Sequence, residues 1–363
     1  MYKVITSSEK QEWDKIINLF DNKDVYYSHA YCILYELIGD GEPHLFFYEN
    51  GRESMVCYPF IKRKIDLQRE HSVREILYDI VTPYGYGGPL VQNTSEQVMR
   101  EFRKEFNDYC QEEKIVSEFI RFHPFVKNHQ YLEESLNIEY NRDTIYIDLT
   151  KDEREIVANY HKNHRRNIKK AFNNKLEFKI LEKEEAIQRM DDFYQLYIET
   201  MDKLHADQYY YFSIDYMKEF LSSLENNSMI ASVFFENKMI SAALCMYGNG
   251  YLHYHLGCSK QNYLYLGTNV FLFHNVILWG KLNHFHTFHL GGGRYSNLDS
   301  LFQFKYKFNS EGKIAFHTGK KIHNPGIYND LVKSWEQEYN QKADGDFFPL
   351  YRAKPLKNAL LET

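Results

Sequence analysis

Two hydrophobic periods alternate along the chain. Apolar residues spaced three and four apart predict helices over SSEKQEWDKIINLF, which opens with a serine cap, over HAYCILYELI and over TSEQVMREFRKEFNDYCQEEK. The stretches between them read as strands. PHLFFYEN and ESMVCYPFIKRKI flank Gly51-Arg52 as a hairpin. REILYDIVTPYGYGGP is a strand that breaks into a Pro/Gly/Tyr loop, and VSEFIRFHPF is a strand after the long helix.

The same order returns in the second half. EEAIQRMDDFYQLYIETMDKL and SIDYMKEFLSSL predict helices. SMIASVFFENKMISAALCMYGNGYLHYHLG predicts a three-strand meander, turning at Glu236-Asn237-Lys238 and at Gly248-Asn249-Gly250. GTNVFLFHNVILWGKLNH is apolar nearly all round, so it reads as a buried helix, and HTFHLGGG as the next strand. A repeated element order predicts two related α/β domains, residues 1–150 and 151–310. Each is expected to hold a mixed, mainly antiparallel sheet flanked by helices. Residues 311–363 form an extension, with KIAFHTGKKI a strand and NDLVKSWEQEY a helix that packs back on either domain.

The segment joining the repeats carries charge on one side. On a helix, Val157, Tyr160, His164, Ile168 and Ala171 share a face, and Lys162, Arg165, Arg166 and Lys169 the opposite one. Such a stripe either contacts phosphates or is a solvated face. It stands out because the chain's net charge is −6, which argues against a dedicated nucleic-acid binder but leaves room for one local basic face. The five cysteines are scattered with no CxxC, so neither a disulfide framework nor a cysteine zinc site is expected. No apolar signal core opens the chain and no stretch is apolar enough to span a bilayer, so a cytoplasmic protein is expected. Tyr and Phe dominate an aromatic content of 17%, enough to line clefts as well as cores.

The candidate chemistry gathers at two strand ends. HLG occurs at His255-Leu256-Gly257 and again at His289-Leu290-Gly291, each time closing a strand. If the two strands are parallel neighbours, a ligand enters at their carboxyl ends. Gly267-Thr268 opens the buried helix between them, a ready anion site. Gly291–Gly293 let a chain or ligand approach the backbone, or are simply a turn. His253 and His255 alternate on one strand, as do His284 and His286, but no carboxylate or thiol is spaced to match, so no metal is expected. GxGxxG, GxxxxGK[ST] and GxSxG are all absent. In LFQFKYKF, a strand would put Phe302, Phe304, Tyr306 and Phe308 on one face and the lysines on the other; a helix would stack Leu301 on Lys305.

The order of meander, glycine-opened helix and strand resembles the GNAT acyltransferase fold. Two such domains in tandem, with DIVTPYGYGGP, HRRNIKKAF and HLGGG followed by Phe304-Lys305, resemble its FemAB-like branch through about residue 310. The resemblance implies an acyltransferase that moves an acyl or aminoacyl group onto an amine of a cell-envelope precursor or amino sugar. It implies Phe304 and Lys305 beside the reacting carbonyl. Gly257, Gly267, Thr268, Gly291, Gly292 and Arg294 would then bind the donor, and Lys203, Arg165, Arg166, Tyr84, Tyr86 and Tyr254 the acceptor. Lys305 would stabilise the oxyanion or hold a donor phosphate; Lys203 would grip an acceptor phosphate or be an ordinary helix-end lysine. No tightly bound cofactor is implied. The donor is acetyl-CoA, another acyl-CoA or an aminoacyl-tRNA. The chain has neither the long heptad insertion of members with a coiled-coil tRNA arm nor, in QNYLYLG, the usual acyl-CoA glycine loop. A catalytically silent binding protein of the same fold is the alternative of a different class.

Overall fold

A computed structural model describes residues 1–51, 53–66, 76–294, 296–343, 345 and 347–355. Arg52 of the expected hairpin turn, the Arg74-Glu75 start of the expected strand, and Tyr295 lie outside the described residues.

The chain contributes β1 (Tyr2–Thr6), α1 (Lys10–Ile17), α2 (His29–Leu37), β2 (Glu42–Asn50), β3 (Ser54–Lys64), β4 (Tyr78–Val81), β5 (Leu90–Gln92), α3 (Glu96–Glu112) and β6 (Ile115–Arg121). Then follow β7 (Asn137–Asp148), α4 (Glu153–Ala158), α5 (Lys162–Asn173), β8 (Glu177–Leu181), α6 (Lys183–Gln188), α7 (Met190–Lys203) and α8 (Ile214–Ser223). The second meander is β9 (Ser228–Phe235), β10 (Lys238–Gly248) and β11 (Tyr251–Ser259). Last come α9 (Thr268–Leu282), β12 (Thr287–Gly291), α10 (Ser300–Tyr306), β13 (Lys313–Ile322) and α11 (Pro325–Tyr339).

These elements divide into two compact units that do not follow the linear halves. One comprises residues 1–22, 39–141 and 317–363; the other comprises 23–38 and 142–316. In the first unit β1, β2, β3 and β4 pair antiparallel in sequence order, β4 pairs β6 in parallel, and β13 adds to β6 antiparallel. In the second unit β8, β9, β10 and β11 repeat the antiparallel run, β11 pairs β12 in parallel, and β7 adds to β12 antiparallel. Each repeat is thus one sheet with a single parallel step, and α3 or α9 makes the crossover.

Local sequence explains the joints. Glu236 and Asn237 both take positive φ, as a two-residue hairpin turn requires, and Asn249-Gly250 does the same at the next turn. Ser95 caps α3 by accepting from the Val98 amide. α9 buries residues on every side, as its uniform apolarity predicts. The basic segment is two helices, broken at residues 159–161; Tyr160, His164, Ile168 and Ala171 are buried as expected, Val157 is half-buried and Ile156 takes the buried place beside it, while Lys162, Arg165, Arg166 and Lys169 are exposed. α11 returns to the first unit, where Tyr328, Leu331 and Trp335 pack with Leu77 and Val116.

Candidate functional site

β11 and β12 stay together for only three rungs, Tyr251–His253 against Thr287–His289. Among the described residues no pairing joins them further on. β11 also bulges: Cys245 faces Tyr254 and Leu244 faces Leu256, which leaves His255 without a rung. The carboxyl ends of two parallel strands therefore part here, at the place where ligands enter open α/β sheets.

Lys305 reaches this gap. It sits in the last turn of α10 with 4% of its surface exposed, and its Nζ donates 2.8 Å to the carbonyl of Gly292. The same Nζ lies 5.3 Å from the ring of Tyr254. Burial pushes the ammonium down to about 7, against the pull of the Asp299 charge. The question of strand or helix in LFQFKYKF is answered by Asp299. Its carboxylate caps α10 by accepting from the Phe302 amide at 2.8 Å and also accepts from the amide of Arg294 at 2.6 Å. Gly293 has no room for a Cβ, because the Asp299 carboxylate and the Ser296 carbonyl fill that space. Gly291 takes φ +74°. The glycine run thus serves the chain's own capping turn and aims the Gly292 carbonyl at Lys305.

Tyr254 lines the same face. It packs on Phe273 of α9 with centroids 4.8 Å apart, burial pushes its phenol up, and its hydroxyl lies against Gly257. Phe304 stacks edge-on against Phe273 at 5.3 Å. Beside them is an open recess of about 320 Å³ lined by Asn163, His164, Arg166 and Asn167 of α5, Gly267 and Asn269 at the head of α9, and Phe304 and Lys307. Gly267 takes φ +82°, and the Asn167 carbonyl stands 2.7 Å from where its Cβ would be. Only glycine lets α5 close on α9 there. Thr268 is fully buried, and its hydroxyl has no hydrogen-bond partner among the described residues.

The other expected site residues fall in different places. Arg165 donates to the carbonyls of Ala158, at 2.9 Å, and Tyr160, where it closes the end of α4. Lys203 is exposed and bonds Gln261, just past β11. Arg294 donates to the carbonyl of Leu204 at 3.3 Å. Tyr84 and Tyr86 belong to the first unit, where Arg121 lies 5.4 Å over the Tyr84 ring and Asn128 staples the loop through the carbonyls of Gly87 and Pro89. Asn163, Asn167 and Lys307 were not anticipated. Their amides and ammonium show a pattern only once α5 is folded against α10.

The corresponding gap of the first unit is closed. The Arg121 amide donates 3.0 Å to the Thr82 hydroxyl, Gly87 donates 2.7 Å to the Arg121 carbonyl, and His123 donates back to Gly87. The Pro/Gly/Tyr loop thus fills the space that stays open in the second unit.

Residues 158–307, which include β11, β12 and α10, match the family model described as an acetyltransferase (GNAT) domain. Among solved structures the chain is similar to FemX, with 12% identity, 91% of this chain and 99% of that chain covered, and a TM-score of 0.67. The fold is that of the FemAB-like branch of the GNAT acyltransferases. Two further neighbours are L-PGS from Bacillus licheniformis and the C-terminal domain of a putative lysylphosphatidylglycerol synthetase from Agrobacterium fabrum. The first is 12% identical over 89% of this chain and 95% of that one, with a TM-score of 0.57. The second is 15% identical over 90% and 95%, with a TM-score of 0.54. At such identities the likeness is one of fold. No curated protein sequence matched. No helix among the described residues is long and apolar enough to cross a membrane.

Proposed function

We propose that this chain transfers an acyl or aminoacyl group to an amine, in the gap where β11 and β12 part. The observation that carries the reading is Lys305: a buried amine at the carboxyl ends of two splayed parallel strands, beside a recess lined by Arg166 and Lys307. In this reading the acceptor amine attacks the donor carbonyl. A C–N bond forms, the C–O or C–S bond breaks, and the proton lost by the amine passes through water to the leaving oxygen or sulfur. The Lys305 ammonium stabilises the oxyanion. Phe304 walls the carbonyl, and the rest of the work is positioning.

The donor's phosphates fit the recess, where Arg166, Lys307 and the asparagine amides converge. Aminoacyl-tRNA is the first choice. The exposed face of α5 is basic, Lys170 lies 5.5 Å over the ring of Tyr265, and both Tyr265 and Phe172 are exposed. Acyl-CoA is the second reading, favoured by the match to the acetyltransferase (GNAT) domain model. The acceptor is a small or nucleotide-linked amine of the cell envelope or an amino sugar. Lys203 and Arg294 stand at the rim, past the ends of β11 and β12.

The test is a mass shift on a panel of such amines, incubated with alanyl-tRNA or with acetyl-CoA. Ribonuclease should abolish turnover with the first donor and spare the second. Lys305→Met should lower kcat about a hundredfold or more, the usual loss for one oxyanion donor. Because the acting form is the ammonium, kcat should fall as pH rises through about 7. A kcat that rises through that range overturns the cation role. No turnover with either donor would leave a binding protein.

A further inference from the structure

We propose that His164 is a positioning residue, which holds the main chain of the Phe304-Lys305 pair so that Lys305 faces the gap. The proposal rests on the site described above and deepens it. α10 is short, and its last carbonyls have no full set of intrahelical partners. Gln303 accepts from Lys307, and Lys305 accepts from Phe308, the amide that would otherwise serve Phe304. The Phe304 carbonyl is satisfied instead from α5: the His164 Nε2–H donates to it at 3.0 Å. A second stitch lies one turn away, where the His161 amide donates 2.8 Å to the Lys307 carbonyl. α5 therefore grips the end of α10 on both sides of Lys305.

The ring is held as firmly as the bond. His164 is 4% exposed, and its ring centroid lies 5.3 Å from Phe304 and 4.3 Å from Phe308. Burial lowers its pKa to about 4, with the Lys307 and His161 charges acting in the same direction and the bond to Phe304 opposing. The imidazole is thus neutral across the working range, with one N–H for one carbonyl. On the sequence, HRRNIKKAF reads as a basic helix. In the fold its single buried imidazole separates two tasks: Arg166, two residues on, lines the recess proposed for the donor, and His164 holds the Phe304 carbonyl beside the lysine. A change at His164 should therefore act on kcat, and a change at Arg166 on donor KM.

The experiment compares His164→Leu with His164→Gln, which restores an N–H donor, in the intact chain. Lysine labelled with ¹³C at Cε gives a resonance for Lys305, assigned by its loss in Lys305→Met. In wild type it should titrate near 7, apart from the other lysines. His164→Leu should move that midpoint upward by a unit or more and lower kcat about tenfold with donor KM unchanged. His164→Gln should recover most of both. On the Lys305→Met background His164→Leu should cost nothing further. An unmoved Lys305 midpoint in His164→Leu overturns the proposal, as does an additive loss in the double variant. If the midpoint moves as expected but Lys305→Met turns over like wild type, His164 does position Lys305, and it is the oxyanion role given to Lys305 in the proposed function that falls.

Discussion

Lys305 is a residue whose placement costs stability. Its native pKa of about 7 lies well below that of an unfolded lysine, so below pH 7 the folded state carries a buried charge at full penalty. From pH 7 to about 10 the unfolded chain binds the extra proton, and stability rises with pH. Lys305→Met removes that penalty. We expect a melting temperature about 5 °C higher at pH 7, the effect of roughly 2 kcal/mol, with the gain shrinking toward pH 10. Calorimetry at both pH values checks it; a lower melting temperature at pH 7 would mean that Lys305 is there to hold the fold. Glu118 of the first unit is the opposite case. Burial pushes its carboxyl up, but the Arg103 guanidinium and the His323 bond pull it down further, to well below the ordinary range. Arg103 holds it at 3.2 and 3.0 Å and His323 at 3.1 Å. That contribution is present above the unfolded pKa near ~4.3 and is lost as pH falls through the lower folded value. Glu118→Gln leaves Arg103 buried and uncompensated, so urea unfolding at pH 7 should show a loss of about 3 kcal/mol.

At the scale of elements, α10 depends on one cap. Asp299→Ala should cost about 1 kcal/mol as a lost N-cap, and should lower kcat more than Arg165→Ala, because α10 carries Lys305 whereas Arg165 closes α4. Equal kcat losses would detach the cap from the chemistry. Elements were also what the sequence showed best. The turns at Glu236-Asn237 and Asn249-Gly250, the all-apolar α9 and the buried stripe of α5 follow from short-range pattern, and each is where its residues predict. LFQFKYKF was undecided because its aromatics alternate like a strand. The deciding residue, Asp299, stands outside the aromatic run as a cap. The recess was illegible for another reason. Asn163, Asn167 and Lys307 are ordinary surface residue types, and they converge only through packing of α5 on α9 and α10.

The whole molecule departs most from its linear reading. Residues 23–38 belong to the second unit: Asp24 bonds His253 at 2.7 Å with both side chains buried, and Asn249 donates to the Lys23 carbonyl. No local pattern could show this, since 229 residues separate Asp24 from His253. A boundary near residue 150 also cuts off the end of β7, which pairs with β12. We therefore expect residues 151–310, made alone, to show no cooperative unfolding transition, and co-expression with residues 1–150 to restore one. A sharp transition from the fragment alone would mean that the linear halves are autonomous.

β13 closes the first unit's sheet, and α11 with Tyr351 and Ala353 then completes that unit's core with Leu77 and Val116. During synthesis, β1 to β6 leave the ribosome early, yet the edge of β6 stays uncovered until residues 317–322 emerge. The first half made is thus the last to finish. The wait spans the translation of nearly the whole second unit, and for that time an apolar strand edge is exposed to other chains. Slow or truncated synthesis past residue 310 should therefore show as aggregation of the amino-terminal part, while residues 23–38 and 142–316 already have every strand of their own sheet.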